Sequence, residues 1–291
     1  MRFVSFRVER EERYGAILED QVVDLAERMP EYPTLRHVLE AGALVRAQDV
    51  AVSASADFRL DEIEWLPPLP NPRKIVCIGI NYPDRRPRHP TDGRNPRYPS
   101  VFLRTRESLV GHRQPLLKPP ETEQLDYAGE IALVIGREGR RIPEDKALEH
   151  VAGLTLMNEG AARDWMRHGE HYVTQGKNFE GTGSVGPWLT TREECPPLDA
   201  LTLTTHVNGE LRQHASTSTL RFGFAFLVSY LSTFMRLTPG DVIATGTPGG
   251  TGEERDPPAF LQPGDEVVVS VEGLGTLANT VVAEEVAAAA P

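Results

Sequence analysis

The sequence predicts a strand-rich α+β fold preceded by a small amino-terminal α+β module. Three observations predict it: short apolar or alternating runs recur along the chain, few windows carry helical spacing, and a proline-dense break falls near residue 70. From Pro67 to Pro72 four of six positions are proline, which neither a helix interior nor a central strand accepts. The chain is therefore divided into a module of residues 1–70 and a larger domain of residues 71–291.

In the module, Phe3, Ser5 and Arg7 alternate with Val4, Phe6 and Val8 as in a strand, and Tyr14 to Leu18 and Val22 to Leu25 suggest two more. Leu35, Val38, Leu39 and Leu44 keep roughly helical spacing and predict a helix from Thr34 to Ala47. Beyond the break, Lys74 to Ile80 reads as a buried strand that delivers Asn81 and Tyr82 into a loop. Val101–Leu103, Glu130–Ile135, Leu201–Val207 and Glu266–Val271 read as further strands. Helices are expected at Pro143 to Val151 and Phe222 to Phe234, and a frayed Ala-rich tail after Val282. No repeat of 20–50 residues is visible, which argues against solenoids and propellers.

Composition narrows the function. A chain of 291 residues with 40% hydrophobic content can bury a sizeable core. A formal net charge of -11 disfavours non-specific binding to nucleic acid or anionic membrane, so small-molecule chemistry is the expectation. Cys77 and Cys195 lack metal-type or disulfide-framework spacing and are read as packing residues. The start shows no signal-peptide pattern and no apolar run is long enough to cross a bilayer, so a cytoplasmic protein is expected. Thr245 to Gly252 is glycine-rich, but it lacks the Lys-Ser/Thr ending of a phosphate loop and an acidic, proline-containing stretch follows it.

Polar residues of a different kind concentrate between Asp126 and Trp188: Asp126-Tyr127-Ala128-Gly129-Glu130, Asn158-Glu159, Gly176-Lys177 and Gly186-Pro187-Trp188. With Gly79-Ile80-Asn81-Tyr82, Arg163-Asp164, Val207-Asn208-Gly209-Glu210 and the run Pro239 to Pro248, their order resembles the fumarylacetoacetate hydrolase family from the amino-terminal module to about Val282. The resemblance implies a mixed β-sandwich or β-roll catalytic domain, usually a homodimer. It also implies enzymes that act on 2-oxo, 2,4-dioxo or enol acids by carbon–carbon hydrolysis, decarboxylation or tautomerisation. The partner is then a small carboxylic acid.

Such an acid can be chelated through its enolate by a hard divalent cation that takes oxygen ligands. The resemblance places three carboxylates at positions 128, 130 and 159, as Glu, Glu and Asp; here they are Ala128, Glu130 and Glu159. One ligand is missing and another is a methylene longer. Mg²⁺ or Mn²⁺ on Glu130 and Glu159 is accordingly expected to bind weakly or not at all. The family's His and Glu dyad for activating water falls on Arg85 and Arg88, and arginine accepts no proton from water. His89 is the remaining candidate base.

The resemblance places Lys177 where the family has a lysine against the substrate's oxygens, and a buried ammonium there can stabilise an enolate. It is assigned a catalytic role with Glu130 and His89. Tyr82, Arg85, Arg104 and Thr247 are assigned to substrate binding, Arg104 standing where the family commonly has lysine. Arg163 is expected to anchor the Glu159 segment by an ion pair. Three functions follow: an enolate-forming enzyme of the family, a non-hydrolytic cyclase, decarboxylase or condensing enzyme, or a non-catalytic acid-binding protein.

Overall fold

Strand Gly129–Ile135 is buried at every position because both of its faces are covered, and the rest of the architecture can be built outward from it. Ile131, Leu133 and Ile135 pack with Leu203, Val269 and Leu277 of a second sheet and with Leu227 and Leu231 of helix Phe224–Phe234. On the other face Ala132 meets Cys77 and Met157, and Val134 meets Leu35, Val38 and Leu189. Full burial of such a side chain contributes roughly 1.5–3 kcal/mol, which is why a near-continuous apolar run rather than an alternating one marks this strand.

The computed structural model describes residues 1–85, 96–169 and 172–285. Arg86, Arg88, His89 and the tail after 285 lie outside the described residues. Among those described, a 12-stranded sheet runs in the order Phe58–Arg59, Gln21–Asp24, Glu11–Leu18, Arg2–Val8, Gly183–Thr191, Val151–Asn158, Gly129–Ile135, Val242–Ala244, Ile75–Gly79 and Ser100–Arg104, with two short strands pairing off this path. A five-stranded sheet of Glu210–Ser216, Thr202–Val207, Glu266–Val271, Gly275–Ala283 and Leu116–Lys118 packs against it. The amino-terminal hairpin joins the large sheet through Arg2 opposite Thr190 and Phe3 opposite Leu189.

The expected strands lie within a residue or two of their observed bounds, apart from Tyr14–Leu18, which begins earlier, at Glu11. The single helix expected from Thr34 to Ala47 is two, Leu35–Glu40 and Leu44–Ser53. Gly42, at φ +63°, turns the chain between them in the left-handed region that glycine enters without strain. The stretch after Pro143 is a 3₁₀ helix, Glu144–His150, rather than an α-helix.

Two residues past strand Ile75–Gly79 lies Asn81, a fully buried side chain that joins three segments. Its amide donates to the carbonyls of Thr245 (2.7 Å) and Phe222 (3.0 Å) and its oxygen accepts the Phe222 N–H at 2.8 Å. Gly246 lets the chain come this close: at φ +102°, a Cβ there would stand 2.6 Å from the Asn81 Cβ. Replacing Asn81 with Ala orphans three buried backbone groups, each costing about 1–3 kcal/mol. We expect Asn81→Ala to lose about 3 kcal/mol or more of stability, measured as the shift in urea midpoint at unchanged slope. A loss of only a few tenths would show that the loop holds without this residue.

Candidate active site

Adjacent strand ends deliver the functional side chains to one place. Gly129 faces the five-stranded sheet, where a Cβ would stand 2.1 Å from the Thr205 hydroxyl. Alternation along the strand therefore turns Glu130 to the opposite face, the one carrying Cys77, Met157 and, beside them, Phe102. Gly129 pairs with Asn158, and the Glu159 N–H donates to the Ala128 carbonyl at 2.7 Å. Positions 128, 130 and 159 thus converge, and Lys177, at the end of the short helix Thr174–Lys177, reaches the same point.

Glu159 is the hub. Its Oε1 accepts from Arg104 Nη1 at 2.6 Å, and its Oε2 accepts from Lys177 Nζ, which also donates to the Glu159 carbonyl at 2.9 Å. The Lys177 ammonium also lies 5.7 Å from the centre of the Phe102 ring. Glu130 Oε2 accepts the Gly246 N–H at 2.7 Å. Glu130, Glu159 and Lys177 are all 4% exposed or less.

Burial governs the electrostatics. It pushes the Glu130 carboxyl well above its usual range, helped by the charge of Glu159 and opposed by the Gly246 N–H and Lys177. Burial likewise lowers the Lys177 ammonium, while Glu159 holds it up. The Cys77 thiol, buried beside both carboxylates, is raised, first by burial and then by Glu159 and Glu130. Such a cluster, two carboxyls and an ammonium held out of water, can move a proton and stabilise an oxyanion.

The remaining sequence candidates divide. Tyr82 is buried with its phenol pushed upward, by burial first and then by Glu130. Arg104 is also fully buried, and its guanidinium is spent on Glu159, the Gly160 carbonyl, Ser108 and Thr182, not on an open anion site. Arg85 pairs with Glu254 at 2.5 Å and donates to the Thr251 hydroxyl at 3.1 Å. The Thr247 hydroxyl is likewise engaged, donating to the Gly129 carbonyl and accepting from Gln213. Arg163 anchors the segment that carries Glu159 through an ion pair with Asp126 at 2.7 Å, and Asp126 also accepts the N–H groups of Gly252 and Glu253. That pair ties the loop at Thr251 to the site.

The residues do not fit a hard divalent cation. Ala128 supplies no donor, both Glu159 oxygens are held by fixed cations, and one Glu130 oxygen is held by Gly246. Among the described residues no group of three or more His, Cys, Asp or Glu side chains could hold a metal ion. Waters can complete an octahedron, but here, among the described residues, only one Glu130 carboxylate oxygen is left without a hydrogen-bond partner to anchor the ion. Sequence reasoning missed the Arg104–Glu159 pair, although a signal existed: the longer carboxylate at 159 and the guanidinium at 104 are complementary departures from the family pattern.

Known proteins resemble this chain over most of its length. The sequence model described as fumarylacetoacetate (FAA) hydrolase C-terminal matches residues 74–282. Oxaloacetate tautomerase fahd2, mitochondrial, of Xenopus laevis is 35% identical over 291 residues, spanning 97% of this chain and 90% of that protein. The 4-hydroxyphenylacetate degradation bifunctional isomerase/decarboxylase of Salmonella dublin is 38% identical over 263 residues, 87% of this chain and 58% of that one. Fumarylacetoacetate hydrolase of Exiguobacterium antarcticum superposes with a TM-score of 0.81 at 32% identity, over 98% of this chain and 100% of its own. With the fold, the strand-end carboxylates and the lysine in place, this chain belongs to the fumarylacetoacetate hydrolase family of enzymes.

Proposed function

We propose that the chain interconverts the keto and enol forms of a short 2-oxo acid through an enolate held at Lys177. The observation that carries this reading is the convergence of Glu130, Glu159 and Lys177 out of water. In the keto-to-enol direction the ionised Glu130 carboxylate takes a proton from the carbon next to the carbonyl. The C–H electrons become the carbon–carbon double bond, and the carbonyl pair moves to oxygen. That oxygen takes a proton from the Lys177 ammonium and the enol leaves, and transfer of the proton from Glu130 to the Lys177 amine restores both groups. If the adjacent carbon carries a carboxylate, loss of CO₂ yields the same type of enolate, so decarboxylation is open to the same residues.

Hydrolytic cleavage is disfavoured, because Arg85 stands in an ion pair where the family's water-activating histidine is expected. The small, acidic substrate class agrees with the relatives' tautomerase and isomerase/decarboxylase activities. The test is to mix the protein with oxaloacetate and follow decay of the enol absorbance, release of pyruvate and, separately, cleavage of a 2,4-dioxo acid. Faster keto–enol exchange without dioxo-acid cleavage is expected. No rate above buffer in any of the three assays would leave the non-catalytic acid-binding reading in its place.

A further inference from the structure

We propose that Arg104, with Lys177, stands in for the divalent cation over this carboxylate pair, and that Arg104 is the residue that bars a metal from the site. The guanidinium is enclosed by its own partners: Nε donates to the Ser108 hydroxyl at 3.0 Å, Nη1 to Glu159 and to the Gly160 carbonyl at 2.7 Å, and Nη2 to the Ser108 carbonyl at 3.2 Å and the Thr182 hydroxyl at 3.3 Å. Space for it is built in. A Cβ at Gly183 would stand 3.1 Å from Arg104 Nη2 and 2.8 Å from the Asn158 carbonyl.

Glu159 is thus paired with two cations without an ion, Arg104 on one oxygen and Lys177 on the other. A lysine could shed its proton and admit a metal, whereas an arginine keeps its charge at any working pH. An incoming divalent cation would therefore meet a fixed positive group already bonded to one of the two carboxylates it needs. Loss of the ligand at position 128 and gain of a guanidinium at 104 act together, and the enolate is met by Lys177.

Titration of the full chain with Mn²⁺, read by the EPR signal of the free ion, tests this independently of turnover. Wild type is expected to take up no ion at concentrations up to about 1 mM. Ala128→Glu restores a carboxylate but leaves Glu159 on Arg104, and it is expected to remain ion-free. Ala128→Glu combined with Arg104→Met is expected to bind Mn²⁺ about 10- to 100-fold more tightly than Ala128→Glu alone. Circular dichroism and melting curves establish the fold of each variant, and Arg104→Lys replaces the methionine if that double variant does not fold.

Tight uptake by wild type, or equal uptake by the single and double variants, would overturn the proposal. Turnover unaffected by EDTA is the parallel expectation, and it rests on the tautomerase reading. Absence of all turnover would defeat that reading and leave the Mn²⁺ titration decisive for this one.

Discussion

Replacing Lys177 with Met is expected to lower kcat for keto–enol exchange by about 10²–10³, the range for removing one preorganised donor to a developing oxyanion. The substitution is clean because Glu159 keeps its second cation: Arg104 Nη1 remains 2.6 Å from Oε1. The carboxylate is therefore not orphaned, and the unfolding that follows when a buried charge loses its only partner is avoided. Methionine also matches the lysine stem in length and suits contact with the Phe102 ring. Lys177→Arg should not rescue the rate, since a planar fork cannot occupy the place of a compact ammonium already flanked by Arg104. Initial rates at saturating oxaloacetate, with a melting curve to verify the fold, decide the matter. A Lys177→Met enzyme within a few-fold of wild type would remove the ammonium from the mechanism.

The second large effect concerns the proton. Glu130→Gln keeps the shape of the side chain and an oxygen to accept the Gly246 N–H, now 2.7 Å from the carboxylate. What it loses is the capacity to take and return a proton, so kcat should fall by about 10²–10⁴. Hydrogen exchange separates this from a packing defect. In D₂O the wild-type enzyme is expected to wash deuterium into the carbon beside the ketone faster than buffer does, and Glu130→Gln is expected to show only the buffer rate by proton NMR. Because the amide leaves the hydrogen-bonding pattern around Gly246 intact, stability should change little. Wild-type exchange rates in the variant would pass the base role to another group.

The contrast between these two residues and Arg104 shows how far the chain can be read before folding. Glu130 follows from alternation: the odd positions of its strand carry Ile131, Leu133 and Ile135 into the core between the sheets, so the even positions must face elsewhere. Lys177 could be placed by its motif. Arg104 could not, because a basic residue at the end of a strand reads equally well as an anion site or as an internal ion pair. The choice is made by Glu159, 55 residues away in sequence. The same is true of Arg85, whose partner Glu254 belongs to a distant loop, and of Arg163, whose carboxylate, Asp126, lies 37 residues away in sequence.

By itself the sequence determined the strand-rich class, the positions of eight of the nineteen strands among the described residues, the family and the loss of a ligand at Ala128, since these depend on local periodicity and on side-chain chemistry at fixed places. Only the tertiary structure decided where the charges go. A guanidinium or a carboxylate reaches several ångströms from its backbone and is committed only when burial removes water as the competing partner, and that burial is created by the packing of strands remote along the chain.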